Sequence, residues 1–183
     1  FCLLDYSIRE LAQRRLGIVG YGALGRGVAR MGEALGMEVL ISERAGAGTI
    51  RPGRRAFGEV LTEADVLSLH CPLTAQNRQL IGADELARMK PDAILINTAR
   101  GALVDTGALA AALADGTIAG AGIDVLPQEP PVDGDPLLDY RGDNLILTPH
   151  TAWAARESRQ RAIGELAANA RAWLAGEPRN RVN

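Results

Sequence analysis

Short apolar runs alternate with stretches of mixed polarity along most of the chain. The runs are continuous, as expected for strands covered on both faces, and they occupy residues 16–20, 38–42, 65–70, 93–99, 118–125 and 144–150. The stretches between them predict helices at Leu24–Leu35, Phe57–Ala64, Asp84–Lys90 and Thr106–Ala114. Strands that alternate with helices need crossover connections, so the pattern predicts an α/β fold with a doubly wound parallel sheet.

Two segments interrupt this alternation. Residues 45–55 are rich in Gly and Arg, and residues 126–144 are rich in Pro and Asp, so both are predicted to be loops. From residue 152 to residue 175 the pattern predicts one long helix. We therefore divide the chain into a leading segment, a central domain and a helical tail, which cover residues 1–13, 14–150 and 151–183.

Composition and charge argue against several classes of partner. The chain has 183 residues and a net charge of −2, so we expect neither nucleic acid nor a membrane surface as a partner. No apolar run reaches the ~20 residues that a transmembrane helix needs. Two cysteines, Cys2 and Cys71, argue against a disulfide framework, so we expect a cytoplasmic protein. The chain begins at Phe1 rather than at Met, and we expect it to be a fragment.

The first predicted strand and helix are joined by a glycine motif. Gly20-Tyr21-Gly22-Ala23-Leu24-Gly25 matches G-x-G-x-x-G, in which the glycines permit a tight turn, a close approach of the backbone to a pyrophosphate, and close packing of helix on strand. The helix N-terminus favours the bound anion. Glu43 follows the second strand, where an acid accepts hydrogen bonds from a ribose diol. The pattern predicts a Rossmann-like dinucleotide site that includes Gly20, Gly22, Ala23, Leu24, Gly25 and Glu43.

The residues around Glu43 bear on the choice of cofactor. A carboxylate repels a 2′-phosphate, so Glu43 favours NAD over NADP. The nearby arginines leave two interpretations open: they are solvated loop charges, or they offset the repulsion so that NADP also binds. These arginines are Arg44, which we include in the cofactor site, and Arg51, Arg54 and Arg55. Two further glycines, Gly27 and Gly32, have two open interpretations. Either they let the helix pack closely on the sheet, or glycine is simply tolerated at these positions.

Functional side chains follow three of the predicted strands. Arg100 follows residues 93–99, Glu129 lies four residues beyond residues 118–125, and His150 ends residues 144–150. Because ligands of doubly wound sheets bind beyond the carboxyl ends of the strands, we expect the three side chains to meet at one edge. Taken singly, each has a plainer interpretation. Arg100 would be a ligand of a cofactor phosphate, Glu129 a loop residue and His150 a turn residue. Asp124 either orients a carboxamide or caps a turn.

Together the three side chains suit hydride transfer on a 2-hydroxy acid. A neutral His can take the hydroxyl proton as the hydride leaves, because its pKa lies near the working pH. A neighbouring carboxylate such as Glu129 would fix the tautomer of the His150 ring. A guanidinium such as Arg100 would bind the substrate carboxylate through two hydrogen bonds. No metal is needed for this chemistry.

Four segments resemble a known family. LGIVGYGALG, INTARGALVD, AGAGIDVLPQEP and LILTPHTAW are similar, in this order, to the signature segments of the D-isomer-specific 2-hydroxy acid dehydrogenases. The resemblance implies an NAD-binding Rossmann domain and a small 2-hydroxy or 2-keto acid as substrate. PHTAW and the lead-in DYSIREL look most like the glycerate dehydrogenase branch, also called hydroxypyruvate reductases. Hydroxypyruvate or glyoxylate is then the favoured keto acid.

The family's catalytic roles can be carried over by motif. The Arg after NTA binds the substrate carboxylate, the Glu of the EP pair orients the His, and the His after TP is the acid–base. The resemblance therefore assigns these roles to Arg100, Glu129 and His150. Trp153 would wall the substrate pocket or pack the long helix.

The family's cofactor contacts are carried over in the same way. LHCPLT resembles the loop whose backbone faces the nucleotide, which implies contacts at Cys71 and Pro72. The Cys71 side chain itself is interpreted as a small buried apolar group. We also assign Thr98 and Asp124 to the cofactor site.

The resemblance also implies a missing part. Family members begin with a substrate-binding domain, which we expect to be largely absent here. Residues 151–183 look like the segment that returns to it, residues 3–11 would form an interdomain or dimer arm, and a homodimer would assemble through the cofactor domains. Two alternatives stay open: an NAD-sensing corepressor of the same fold, and a cofactor-binding fragment without turnover.

Overall fold

The computed structural model describes residues 8–177 and 179–181. Its sheet has six strands, and every neighbouring pair is parallel. The predicted doubly wound α/β fold is confirmed. The start of the predicted arm, residues 3–7, and Cys2 lie outside the described residues. The strands are β1 Arg15–Val19, β2 Glu38–Ser42, β3 Val66–Leu69, β4 Ile94–Asn97, β5 Gly120–Ile123 and β6 Leu145–Leu147.

The helices agree with the sequence pattern except at two places. They are α1 Ala23–Ala34, α2 Phe57–Glu63, α3 Ala83–Arg88, α4 Thr106–Ala114, α5 Pro136–Asp139 and α6 Arg156–Leu174. Helix α5 lies within the segment predicted to be a loop; it begins where Asp135 accepts a hydrogen bond from the Leu137 N–H at 2.9 Å. Helix α6 starts four residues later than predicted, because the Ala154 N–H closes a turn on the Thr151 carbonyl at 2.9 Å.

Strand β1 shows how both faces of the sheet are covered. Leu16 and Ile18 pack with Ala29 of α1 on one face. The residue between them, Gly17, faces the other side, where a Cβ would lie 2.8 Å from a methyl of Val60 in α2. Successive residues of a strand point to opposite faces, so helices on both sides produce the continuous apolar runs of the sequence.

The two remaining glycines of α1 differ from each other. A Cβ on Gly32 would lie 2.5 Å from Leu16 Cδ2, so this glycine lets α1 approach the sheet closely. Apart from the backbone of its own helix, a Cβ on Gly27 would meet no heavy atom of the described chain within 4 Å. Gly32 is therefore a packing glycine, whereas Gly27 is a tolerated one.

The strand order β2-β1-β3-β4-β5-β6 places a crevice beside β1. The chain adds β2 on one side of β1 and then returns to add β3 on the other, so the direction of winding reverses between β1 and β3. Ligands of such sheets bind at the carboxyl ends of the strands at this reversal. Beyond β2, Arg55 forms a single parallel bridge with Ser42.

The chain forms two compact units, divided between Pro149 and His150. The first unit contains the sheet and α1 to α5. The second contains α6 and the segment after it. Within this unit, Arg179 Nη2 lies 2.8 Å from Oε2 of Glu165 in α6. Across the described ranges, 8–177 and 179–181, no helix combines the length and apolarity that crossing a bilayer requires.

Candidate active site

The glycine loop after β1 is packed against the end of β3. Gly20 has φ +98°, and a Cβ there would lie 2.5 Å from the Cys71 nitrogen. A Cβ on Gly25 would overlap the Gly20 carbonyl oxygen. A larger residue at either position would therefore push the loop away from β3 or from α1. These contacts fix the turn at the reversal point of the sheet.

The middle glycine of the loop faces open space. Gly22 precedes α1, and a Cβ there would have no heavy atom of the described chain within 4 Å. The first turn of α1 contains no acidic residue, and no side chain caps it. Ala23 and Leu24 begin the helix and are exposed. A phosphate can approach this helix end without meeting a bulky side chain or a negative charge, so the loop fits a dinucleotide pyrophosphate.

Glu43, directly after β2, is buried and paired. Its Oε2 accepts a hydrogen bond from Arg51 Nε at 2.7 Å, and its Oε1 accepts one from Arg51 Nη2. Arg54 Nη1 lies 3.7 Å from Oε1. The backbone N–H of Arg44 also donates to Oε1, at 3.0 Å. Arg51 and Arg54 are therefore ion-pair partners of Glu43 rather than unpaired loop charges, although the Arg51 side chain is also half exposed to solvent.

Arg55, which follows Arg54 in the chain, pairs with a different carboxylate. Its Nη1 lies 2.8 Å from Glu63 Oε2, so Arg55 is an ion-pair partner of α2 rather than an unpaired loop charge.

The pairing also shifts the pKa of Glu43. The hydrogen bonds from Arg51 are the main cause that lowers this pKa, from 4.5 to about 2. The pairing with Arg51 therefore favours the ionised form of Glu43.

The segment after β3 forms a compact loop of its own. The Asn77 Nδ2 group donates to the Pro72 carbonyl at 2.8 Å, and Asn77 Oδ1 accepts from the Thr74 N–H at 2.6 Å. Cys71 is half-buried against the hydrophobic core, and this burial raises the pKa of its thiol. The interpretation of Cys71 as a small apolar group agrees with this environment.

Arg100 is positioned by a residue that the sequence reasoning missed. Asn97, the last residue of β4, is fully buried. Its Nδ2 donates to the Arg100 carbonyl at 2.9 Å, and its Oδ1 accepts from the Ala99 N–H at 3.0 Å. Thr98 and the Arg100 side chain are exposed at this tight turn. The signal available in the sequence was an amide residue at the end of an apolar run.

The Arg100 and Glu129 segments are brought together. Gly101 packs directly on the backbone of the loop after β5, since a Cβ there would lie under 3.0 Å from the carbonyl group of Leu126 and the nitrogen of Pro127. Glu129 Oε1 accepts a hydrogen bond from the Leu126 N–H at 2.9 Å, and Glu129 is exposed. The two loops that carry the guanidinium and the carboxylate therefore share one backbone contact.

Asp124 ties the ends of β5 and β6. Its Oδ1 accepts a hydrogen bond from the Thr148 hydroxyl at 2.5 Å, and its N–H donates to the Asn97 carbonyl at 3.0 Å. The sequence reasoning did not find Thr148. Two residues farther along, His150 opens the second unit with φ +53°. Trp153 lies in the turn before α6 and is exposed.

Comparisons with known proteins agree on one group. The sequence profile described as "D-isomer specific 2-hydroxyacid dehydrogenase, NAD binding domain" matches residues 4–152. The chain is 50% identical to a glycerate dehydrogenase of Methylorubrum extorquens over 184 residues, which are 100% of the chain and 57% of that protein. It is 44% identical to a glyoxylate reductase of Aeropyrum pernix, over 95% of the chain and 53% of that protein.

A solved structure shows the same likeness. The NAD-complexed D-isomer specific 2-hydroxyacid dehydrogenase of Lactobacillus delbrueckii superposes with a TM-score of 0.86 and 33% identity, over 100% of the chain and 60% of that structure. The chain therefore spans little more than half the length of the relatives it matches.

Proposed function

The chain belongs to the D-isomer specific 2-hydroxyacid dehydrogenase family through its NAD-binding domain, and on that premise we propose that it serves hydride transfer between NAD(H) and a small D-2-hydroxy acid. The observation that supports this most is the glycine loop, Gly20–Gly25, open at Gly22 and placed at the carboxyl end of β1. The parallel strand β4 ends at the same edge and leads directly to Arg100.

In this proposal the cofactor binds along the edge of the sheet at which the carboxyl ends of the strands lie. The pyrophosphate would lie on the N-terminal turn of α1 at Gly22, and the adenosine ribose would lie at Glu43. The backbone at Cys71 and Pro72 would face the nucleotide, and the cofactor would supply or accept the hydride. The other residues that we assign to this site are Ala23, Leu24, Arg44, Thr98 and Asp124.

The substrate chemistry falls to three side chains of the chain. Arg100 binds the substrate carboxylate through two hydrogen bonds, since a guanidinium matches the geometry of a carboxylate. His150 takes the proton of the substrate hydroxyl during oxidation and returns it during reduction. Glu129 orients the imidazole, and Trp153 walls the pocket. This division of roles needs no metal ligand from the chain.

The substrate class follows from the relatives. We favour glycerate with its keto acid hydroxypyruvate, or glyoxylate, because the relatives at 50% and 44% identity are named for glycerate and for glyoxylate. We further propose a cytoplasmic homodimer assembled through the cofactor domains. In this proposal residues 151–183 return to a substrate-binding domain.

The first experiment tests cofactor binding. The 183-residue chain is titrated with NADH, and binding is followed by the fluorescence of the nicotinamide. We expect saturable binding with a Kd below 1 mM on the basis of the open Gly22 loop, and Gly22→Val should abolish it. Failure of the unaltered chain to bind at millimolar NADH would refute the proposed cofactor.

The second experiment tests the side chains in a complete dehydrogenase that contains this chain. His150→Ala should lower kcat by about 10²–10⁴-fold and leave the Kd of NADH unchanged. Arg100→Ala should raise KM for the keto acid by about 10–100-fold, because it removes charge-assisted hydrogen bonds. Arg141→Ala is the matched control, since it removes an exposed arginine that donates to the nearby carbonyls of Leu138 and Tyr140. Undiminished kcat in the His150 variant would refute the acid–base assignment.

A further inference from the structure

At the end of β3 lies a polar pair that the proposed function does not use. Ser68 is 4% exposed, and its Oγ lies 2.9 Å from Nε2 of His70. We infer that His70 binds a hydroxyl of the nicotinamide ribose through its second ring nitrogen, Nδ1, and that Ser68 holds the ring in place for this contact. The inference rests on the proposed function, because it concerns another part of the same dinucleotide.

Ser68 interrupts an apolar part of the sheet. In the register of the strands it pairs with Ile18 of β1 and with Ile96 of β4. A hydroxyl buried there costs free energy unless it is hydrogen-bonded, whereas an apolar residue would need no partner. The bond to His70 satisfies it. The pair is therefore a polar exception in an apolar strand, and such exceptions are expected at functional sites.

The backbone of His70 is held as firmly as its ring. Its N–H donates to the carbonyl of Val19, the last residue of β1, at 2.7 Å. Its carbonyl carbon would lie 2.6 Å from a Cβ on Gly20, so the glycine loop packs directly on this residue. Backbone and ring are therefore preorganised, which lowers the entropic cost of binding a ligand.

The second nitrogen of the ring is open to a ligand. His70 is half-buried, and Nδ1 has no hydrogen-bond partner among the described residues. Within residues 8–177 and 179–181, no buried side-chain nitrogen or oxygen lacks a partner. Nδ1 therefore lies at the surface of the chain, although the rest of the residue is partly covered.

The state of the ring suits a hydroxyl group. Burial lowers the pKa of His70, so the neutral imidazole is favoured. In a neutral imidazole one nitrogen donates a hydrogen bond and the other accepts one. A hydroxyl can do both, so it fits Nδ1 whichever tautomer the bond to Ser68 selects.

The order of the strands indicates which hydroxyl this is. Strand β3 lies between β1 and β4. In the proposed function, β1 leads to the pyrophosphate at the glycine loop, and β4 leads to the substrate carboxylate at Arg100. The nicotinamide ribose joins the pyrophosphate to the ring that exchanges hydride with the substrate, so it would pass the end of β3. A bond from His70 to this ribose would hold the nicotinamide beside the substrate.

The test compares ADP, which lacks the nicotinamide ribose, with ADP-ribose, which contains this ribose but no nicotinamide. Their Kd values are measured by calorimetry with the 183-residue chain. His70→Ala should weaken ADP-ribose by about 5–10-fold, the effect of one hydrogen bond, and should leave ADP within about twofold. NADH, followed by its fluorescence, should weaken as ADP-ribose does.

Conservative variants separate the two ring nitrogens. His70→Asn can place a polar atom near the position of Nδ1, so ADP-ribose should bind within about threefold of the unaltered chain. His70→Gln can reach Ser68 but leaves the position of Nδ1 empty, so it should lose as much as His70→Ala. Ser68→Ala should lose less than His70→Ala. Thr62→Ala is the matched control, because it removes a hydroxyl that donates to the carbonyls of Gly58 and Glu59 in α2, and it should leave every Kd unchanged.

Two results would overturn the inference while the unaltered chain binds NADH. One is an equal loss of ADP and ADP-ribose in His70→Ala, which would show that His70 only supports the glycine loop. The other is unchanged binding of ADP-ribose in that variant. Failure of the unaltered chain to bind NADH, ADP and ADP-ribose would refute the proposed function and the inference with it. Circular dichroism establishes that each variant is folded, and His70→Gln provides the comparison if His70→Ala does not fold.

Discussion

Gly101→Ala probes the contact that joins the two loops of the candidate active site. The added Cβ would lie under 3.0 Å from the carbonyl group of Leu126 and the nitrogen of Pro127. Carbon atoms in contact are normally about 3.5–4.0 Å apart, so the two backbones must separate by about 1.5 Å. No flexible side chain can absorb this shift, because all three obstructing atoms belong to the backbone.

The expected cost follows from that geometry. Overpacking a well-packed interior costs about 1–3 kcal/mol, and a clash between two backbones belongs at the upper end of this range. A loss of about 3 kcal/mol corresponds to a fall in Tm of about 6–12 °C for a chain of this size. In a complete dehydrogenase the displaced Arg100 should also raise KM for the keto acid, with little effect on the Kd of NADH.

Urea unfolding of the 183-residue chain, followed by circular dichroism, measures the free-energy difference. Gly27→Ala is the matched control, because a Cβ at this helical glycine would meet no other part of the described chain within 4 Å. It should stabilise the chain by about 0.5–1 kcal/mol, since Ala is the better helix former. A Gly101→Ala chain within about 0.5 kcal/mol of the unaltered chain would show that the loops are not in close contact.

Three further predictions concern the side chains of Glu43, Asn97 and Cys71. Because the folded pKa of Glu43, about 2, lies below its ordinary 4.5, its ion pairs stabilise the fold above pH 4.5 and are lost as the pH falls toward 2. Glu43→Gln should therefore reduce the acid-dependent loss of unfolding free energy in that window, and an unchanged pH profile would contradict this. Asn97→Ala should cost about 2–4 kcal/mol in urea unfolding, from two lost hydrogen bonds and a cavity, whereas a loss below about 1 kcal/mol would argue against its positioning role. In a Cys2→Ser background, Cys71 should react with iodoacetamide at pH 7.5 more slowly than free cysteine does, because burial raises its pKa; an equal rate would refute this.

The sheet could be predicted because its strands are buried on both faces. Continuous apolar runs mark such strands without knowledge of their partners, and each of the six runs overlaps a strand of the sheet. Helix α4 was also placed correctly at both ends, since Asp105 caps it by accepting from the Ala108 N–H at 3.0 Å. Local capping chemistry of this kind is visible in a sequence.

Other features depend on contacts that a sequence does not show. The turn at Arg51-Pro52-Gly53-Arg54 could be recognised, but its partner Glu43 depends on how the loop returns to β2. Asn97 was missed as a positioning residue because only the folded chain shows that its side chain points inward to hold the Arg100 turn. Helix α5 was overlooked because a proline-rich and aspartate-rich segment is usually irregular, although Asp135 and Pro136 are good helix starters.

The anchoring of residues 44–54 has a consequence for how such a protein changes over time. Both ends of this eleven-residue insert are fixed by main-chain bonds between Arg55 and β2, which do not depend on the side chains within it. The entropic cost of a longer insert grows only with the logarithm of its length. The length and the sequence of this loop can therefore change, by natural selection or by design, while the sheet stays as it is.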